Sequence, residues 1–289
     1  MHIVGVVFLI VIGLCILILV VYRVSRWYFR NAFTTDVGRL LLATGTALIE
    51  ILTDSDLQTL PEVVQRYIRT TGAVGKPKVH NFCVRLEGAL RQDRNSEWMK
   101  FTSIQYNGVH DPARLFFMDA VMKRLPVAGY HRFRNGHASM DIRLLSFIPV
   151  ERKSGTLMDV AETVTFFNDM CVMAPATLID KRISWSNCAS DHVRASFSHQ
   201  GIVVTADLYF NANGELIDFV SRDRYALQRD GSMRRYPWST PLTQYRDIGN
   251  NWHASYAEAI ITMPDGDFCY GRFNVIDICY NVADYEVRN

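Results

Sequence analysis

The sequence predicts a mainly β, α+β protein: a long antiparallel sheet with one helix packed on it, preceded by an N-terminal transmembrane helix and short helices. Three observations carry that prediction. Turn signals recur between apolar runs, at Asn135-Gly136, Gln200-Gly201, Asn213-Gly214 and Pro264-Asp265-Gly266. The central residues of a tight hairpin turn need positive φ, which Gly and Asn adopt at little cost. A helical pattern interrupts the strands at Thr156–Met173, and the twenty residues Ile3–Tyr22 carry no charge.

As a helix rising about 1.5 Å per residue, Ile3–Tyr22 covers about 30 Å, the hydrocarbon thickness of a bilayer. No Lys or Arg precedes it and no small-x-small cleavage site follows it. A retained anchor is therefore expected rather than a cleaved signal peptide. Trp27 and Tyr28 suit the membrane interface just beyond. Arg23, Arg26 and Arg30 all follow the segment, and positive-inside reasoning then puts the large domain in the cytoplasm. Cys83, Cys171, Cys188, Cys269 and Cys279 are an odd set without C-x-x-C spacing, which gives no disulfide framework or zinc site and agrees with a reducing compartment.

A helix is expected over Asp36–Leu52, with Thr35 as its N-cap and Val37, Leu41, Leu48 and Leu52 on one face. A second begins at Pro61 and ends at Gly72, turning Val64, Tyr67 and Ile68 inward. The chain thus divides into an anchor with its flank (1–30), a helical connector (31–75) and a β domain (76–289) holding an inserted helix (156–173). Strands are expected at Val79–Leu90, Trp98–Asn107 and Arg114–Met122, then as a hairpin of Tyr130–Arg134 with His137–Phe147, closed by Pro149. They resume near Ile183 and continue as Val193–His199, Ile202–Phe210, Glu215–Tyr225, Ala254–Met263 and Phe268–Cys279.

The inserted helix carries Leu157, Val160, Ala161, Val164, Phe167 and Cys171 at helical spacing, and Pro175 stops it. Phe166, Met170 and Met173 make its other side apolar too, so burial on most faces is expected, against a curved sheet. Glu162 and Asp169 lie nearly two turns apart and share a face. Buried together they need arginine or backbone donors, and Arg224 is the expected partner of Glu162.

Chemical motifs are few. There is no Gly-x-Ser-x-Gly elbow, no phosphate-binding glycine loop and no His-Glu-x-x-His, so no catalytic residue and no cofactor is assigned. His131, His137 and Asp141 fit a polar sheet rim better than a metal motif. Asp218 and Asp223 read as solvated strand carboxylates. In a strand, Arg222 and Arg224 share a face, which suits a carboxylate or phosphate head group but better suits cross-strand ion pairs with Asp or Glu neighbours. Net charge is +2 with basic residues spread along the chain, which points away from nucleic acid. Aromatic residues are plentiful; Trp98, Trp185, Trp238, Trp252, Phe116, Phe117, Phe166 and Phe167 suit either an elongated apolar pocket or plain core packing.

Several stretches carry a resemblance: Leu60-Pro61-Glu62-Val63-Val64-Gln65-Arg66-Tyr67-Ile68, Trp98-Met99-Lys100-Phe101, the helix from Glu162 to Pro175-Ala176, then Trp185, Arg224-Tyr225, Pro237-Trp238, and Tyr245 with Gly249. In order, over about residues 60–282, the chain resembles an uncharacterised bacterial family of membrane-anchored proteins, a domain of unknown function. One departure is that Asn250-Asn251-Trp252-His253 stands where the family pattern has a proline shortly after the glycine. The resemblance implies a fold similar to the bacterial lipoprotein carriers and receptors, a curved antiparallel half-barrel with a helix in its concave face. Those carriers hold acyl chains outside the cytoplasm, which would make the domain periplasmic, against the arginine evidence.

Three functions are open on this reading. The first is a membrane-tethered binding module for a lipid or other hydrophobic ligand, held by Trp98, Phe116, Glu162, Phe166, Met170, Arg224, Tyr225 and Trp238. The second is an interaction or scaffold protein with a filled core and no ligand. The third is an enzyme acting on a membrane-derived substrate. Residues 3–22 supply the membrane contact, and no protein partner is identified.

Overall fold

A computed structural model describes residues 2–45, 49–228 and 231–285. The chain opens with α1 (His2–Thr44), α2 (Asp54–Leu57) and α3 (Glu62–Thr70). Six strands follow: β1 (Asn81–Leu90), β2 (Met99–Gly108), β3 (Ala113–Met122), β4 (Leu125–Arg134), β5 (His137–Leu144) and β6 (Ile148–Ser154). Then come α4 (Thr156–Met173), a 3-10 turn (Pro175–Ile179), β7 (Ile183–Ser186), β8 (His192–His199), β9 (Ile202–Phe210) and β10 (Leu216–Ser221). The chain closes with β11 (Tyr225–Leu227), β12 (Met233–Arg235), β13 (Trp238–Ser239), β14 (Leu242–Ile248), β15 (Asn251–Met263) and β16 (Gly266–Tyr280).

Fourteen strands make one antiparallel sheet, in the order β6-β5-β4-β3-β2-β1-β16-β15-β13-β10-β9-β8-β7, with β14 pairing β15 off that path. β11 and β12 form a separate ribbon. The sheet is strongly curved, because α4 packs on β4, β5 and β6 near one end and also on β9 and β10 near the other. Nine strand spacings separate β5 from β9 in that order, about 43 Å if the sheet were flat, whereas a helix is only about 10–12 Å wide. Bulges at Arg85/Leu86, Ile142/Arg143, Leu216/Asp218 and Ala259/Ile260 help it bend. The result is a half-barrel with α4 in its concave face.

Side chains alternate across β2–β4 between two cores. Phe101, Phe116, Met118 and Phe133 join the concave core around α4. Tyr106, Leu115, Phe117 and Tyr130 join a second core on the convex face, built with Phe29, Phe33, Val37, Leu40 and Leu41 of α1. Those five α1 residues fall on one helical stripe, so one face of a continuous helix docks on the sheet while residues 4–20 stay exposed.

Continuity of α1 corrects the expectation of a separate helix over Asp36–Leu52 capped by Thr35. Thr35 lies inside the helix, which ends at Thr44 where Thr44 Oγ1 bonds back to the Leu40 carbonyl at 3.1 Å. Leu48 lies outside the described residues. The expected helix from Pro61 is α3, with Pro61 as its N-cap and Gly72 at φ +68° beyond its end. Pro149 does not close the meander: β6 runs through it as the outer strand of the sheet, where a missing N–H is tolerated. Glu215–Tyr225 is broken, since Arg222–Arg224 lie between β10 and β11 and are not strand. The turns at Asn135-Gly136 and Gln200-Gly201 have both central residues at positive φ. So does Lys123-Arg124, a β3–β4 turn that no glycine announces.

Candidate functional site

The candidate site is the seat of α4 in the half-barrel. Phe166 and Phe167 are wholly buried. Phe166 packs between Phe133 and Phe197, with ring centroids at 5.9 and 5.8 Å. Phe167 stacks on Phe197 at 5.4 Å and meets Phe219 edge-on at 5.6 Å. Met170 and Val164 are buried in the same core. Apart from Leu157, which is exposed near the start of α4, the apolar residues recurring around the helix find cover on most sides, as a helix apolar on most faces requires.

The same interface contains a buried polar network. Asp169 Oδ2 accepts from Arg114 Nε at 2.8 Å, Gln105 Nε2 at 2.8 Å and Asn107 Nδ2 at 3.1 Å. Arg114 Nη1 reaches Glu162 Oε2 at 3.2 Å, and His131 Nδ1 stands 3.9 Å from Glu162 Oε1. Strand alternation assembles the sheet side of this network. Gln105 pairs with Phe116, Asn107 with Arg114, and Phe116 with His131, so all five share the concave face. Phe116 sits under the Arg114 guanidinium, 4.9 Å from ring centroid to Cζ. Earlier on α4, Asp159 accepts from the Ala138 N–H at 2.6 Å and ties the helix to β5.

The two acids of α4 are driven in opposite directions. Burial works to raise the Glu162 carboxyl, but nearby His131 and the charges of Arg114 and Arg224 outweigh it and hold it at about 2. Burial raises Asp169 above its ordinary range; the Glu162 charge adds to that rise, while Arg114 and Asn107 act against it. One guanidinium serves both carboxylates and is held in its charged form by them, against its own burial.

Glu162, Asp169, Phe116, Phe166 and Met170 therefore come together as the sequence suggests, with one correction: the direct partner of Glu162 is Arg114. Arg224 acts on Glu162 only through its charge. Its guanidinium lies 4.8 Å over the Trp238 ring, and its Nε is buried with no hydrogen-bond partner among the described residues. Trp238 is buried, donates from Nε1 to the Tyr270 hydroxyl at 3.0 Å and meets Phe219 edge-on. Tyr225 is half-buried on β11, a strand that packs near α4. Trp98 stands apart, on the rim before β2, between the guanidinium groups of Arg91 and Arg272, each 4.5 Å from its ring. Arg222 is exposed, so Arg222 and Arg224 do not form a two-arginine face. His131, His137 and Asp141 point to three different places: Glu162, Asp159, and the pair Arg143 and Arg152. Asp218 is partly buried and accepts from the Thr240 N–H, and Asp223 holds Thr205 and Arg235, so neither is a freely solvated carboxylate.

The sequence reading missed Arg114, Gln105 and Asn107. Their signal was present, because Gln105 and Asn107 are alternate polar residues interleaved with Ile104 and Tyr106 of the other face. The acids of α4 that they pair with lie 48 or more residues away.

Among the described residues, Phe166, Phe167 and Met170 are wholly buried and occupy the concave face. A groove of about 530 Å³ lies elsewhere, among Glu87, Tyr245, Arg246, Asn274 and Val275. A pocket of about 20 Å³ between Lys76, Pro175, Asn251, His253 and Tyr280 has room for about one water molecule. There the Tyr280 hydroxyl lies 2.8 Å from His253 Nε2 and donates to the Met173 carbonyl at 2.6 Å, tying β16 to the end of α4. Burial, with the Lys76 charge, pushes His253 down to about 4. Nearby, Gly249 and Asn250 both take positive φ in the β14–β15 turn, and a Cβ on Gly249 would clash with the Ile278 carbonyl oxygen.

Fold and seat define a class of protein: an antiparallel half-barrel whose concave face is occupied by its own apolar helix, carried behind a long N-terminal apolar helix. The chain belongs to the Family of unknown function (DUF6544), whose match covers residues 50–273. Among curated proteins, none matches the chain. A crystal structure of a domain provisionally assigned to outer membrane lipoprotein sorting, from Vibrio parahaemolyticus, is similar at 10% identity and TM-score 0.43, over 78% of this chain and 93% of that one. A LolA superfamily protein from Nitrosomonas europaea is similar at 7% identity and TM-score 0.41, over 77% and 94%. A DUF1329 family protein from Desulfovibrio piger gives 7% and 0.40, over 77% and 93%. Likenesses this distant transfer no ligand and no activity.

Proposed function

We propose that this protein is a membrane-tethered module that binds a lipid or other hydrophobic ligand inside the half-barrel, and that α4 is the lid that fills the site until a ligand displaces it. The observation that carries the reading is the seat of α4. An apolar helix lies in a phenylalanine-rich trough, and a buried ion-pair network holds it there. Such networks contribute little net stability but fix one arrangement, because removing either partner is strongly destabilising. A helix held this way can leave as a unit and expose an apolar surface suited to acyl chains. Phe116 and Trp238 would line that surface on the sheet, Phe166 and Met170 would meet the ligand from the displaced helix, and Arg224 and Tyr225 would stand beside it to meet a polar head.

Tethering rests on α1, whose residues 4–20 are exposed and apolar over a length that matches a bilayer. A second reading has its own support. Phe166 and Met170 are wholly buried, as in a filled core that needs no ligand.

Native mass spectrometry of the full-length protein extracted in mild detergent separates the two readings. Wild type is expected to carry a lipid adduct, and Arg114→Met, which loosens the seat, is expected to carry more. If neither carries lipid while both remain folded by circular dichroism, the ligand reading fails and the filled core stands.

A further inference from the structure

α1 runs antiparallel to β3 on the convex face, and three contacts fix their relative register. Leu40 lies against Gly108, the register partner of Ala113. Phe33 packs on Phe117 at 5.4 Å between ring centroids. Arg26 pairs with Asp119 at 2.7 Å. From Leu40 to Arg26 the helix advances about 21 Å, and from Ala113 to Asp119 the strand advances about 20 Å, so the two run nearly side by side. Past Asp119, β3 continues to the Lys123-Arg124 turn, a further distance of about 15 Å. That reach equals about ten residues of helix before Arg26, which brings the turn level with the apolar run Ile3–Tyr22.

The side chains at this turn suit such a place. Val121, Met122 and Leu125 are exposed, Val121 at 60%. The β5–β6 hairpin lies beside them, joined by the Leu145 N–H to the Pro126 carbonyl at 2.8 Å, and it exposes Ile148 and Val150. Lys123 and Arg124 stand exposed at the tip. A basic pair flanked by exposed apolar side chains is what the boundary between acyl chains and anionic head groups accommodates, since the basic stems lie along apolar surface while their charges reach outward.

We propose that the β3–β4 hairpin tip, with the adjacent β5–β6 hairpin, is a second membrane contact that seats the half-barrel on the bilayer beside α1. The occupant of this patch is the lipid surface, reached by continuity with α1. The proposal rests on the reading of α1 as a retained anchor and adds a fixed orientation. The β3–β4 end of the sheet faces the membrane. The opposite rim, where Gly136 and Gln200 approach each other, faces away.

The test uses full-length protein, with other accessible thiols replaced, reconstituted in vesicles of phosphatidylcholine and phosphatidylglycerol. An environment-sensitive fluorophore is placed in turn on Leu17→Cys in α1, Met122→Cys at the hairpin tip and Val203→Cys near the far rim. Lipids carrying a nitroxide quencher are then added. The Leu17 and Met122 labels are expected to lose emission, and the Val203 label to keep it. If the Leu17 label is quenched while Met122 behaves like Val203, the hairpin seat is overturned and the anchor survives. If the Leu17 label also escapes quenching, the anchor reading itself fails and takes the seat with it.

Discussion

Replacing Arg114 with Met puts the network beneath α4 to its sharpest test. In the wild type one guanidinium stands between Glu162 and Asp169, which are 3% exposed each. Removing it leaves Glu162 with His131 at 3.9 Å and the more distant charge of Arg224, and Asp169 with the amides of Gln105 and Asn107. Stranding a charge by removing its buried partner costs about 3–5 kcal/mol. For a chain of this size that is a fall in Tm of about 6–10 °C, at about 2 °C per kcal/mol.

The pH dependence identifies the cause. Glu162 is held at about 2, below its ordinary 4.5, so its contribution is present above 4.5 and is lost as pH falls towards 2. That contribution is on the order of 3 kcal/mol. Asp169 has the opposite sign: its raised carboxyl favours the protonated form in the folded state, so its contribution grows as pH falls through and below its folded value. Without Arg114 both carboxyls are raised by burial, and each can relieve its charge by taking up a proton in the folded protein. The variant's deficit should therefore narrow as pH is lowered from neutral towards 4.5, the ordinary Glu value. Adding Glu162→Gln and Asp169→Asn to Arg114→Met should recover most of the loss, because no buried charge then remains. Denaturant titrations of full-length protein in detergent, followed by tryptophan fluorescence across pH, measure all of this. A deficit under about 1 kcal/mol, in the range of an exposed ion pair, would refute the reasoning, and so would a deficit that does not change with pH.

Other expectations follow from the packing. Phe167→Ala should cost about 3–5 kcal/mol by the same titration, since its ring is enclosed by Phe197 and Phe219. On the convex face, Phe33→Ala should cost a similar amount, whereas Asp119→Ala, which releases the half-exposed Arg26 and Arg30, should cost under about 1 kcal/mol. Cys188 is an exposed thiol on the half-barrel, so an impermeant maleimide applied to intact cells reports the side of the membrane. Positive-inside reasoning expects no labelling until the cells are lysed, and ready labelling would place the half-barrel outside.

Local chemistry made much of the fold legible. Paired positive-φ residues marked the hairpins at Asn135-Gly136 and Gln200-Gly201, and apolar spacing gave α4 its observed bounds. Where the reading failed, the deciding interaction was distant in sequence. Lys123-Arg124 turns with no glycine, and Pro149 looks like a stop until β5 supplies a partner on one side only. Thr35 looks like a cap, but Phe33 and Val37 continue the stripe that β2–β4 cover. Arg26 and Arg30 read as topology signals in the sequence, yet both also serve Asp119 on β3. At the seat of α4 the acids were visible from their spacing. Arg114 was not, because its role depends on strand register across the sheet and on the helix lying over it.

Photocrosslinking tests ligand binding under α4 most directly. A phospholipid with a diazirine in its acyl chain is added to full-length protein in membranes and irradiated, and the adducts are mapped by peptide mass spectrometry. Adducts on Phe166, Met170, Phe133 or Phe116 are expected, and they should diminish when excess unmodified lipid competes. Adducts confined to residues 4–22 and the β3–β4 hairpin would mean that lipid only surrounds the anchor, and that the half-barrel is a filled core.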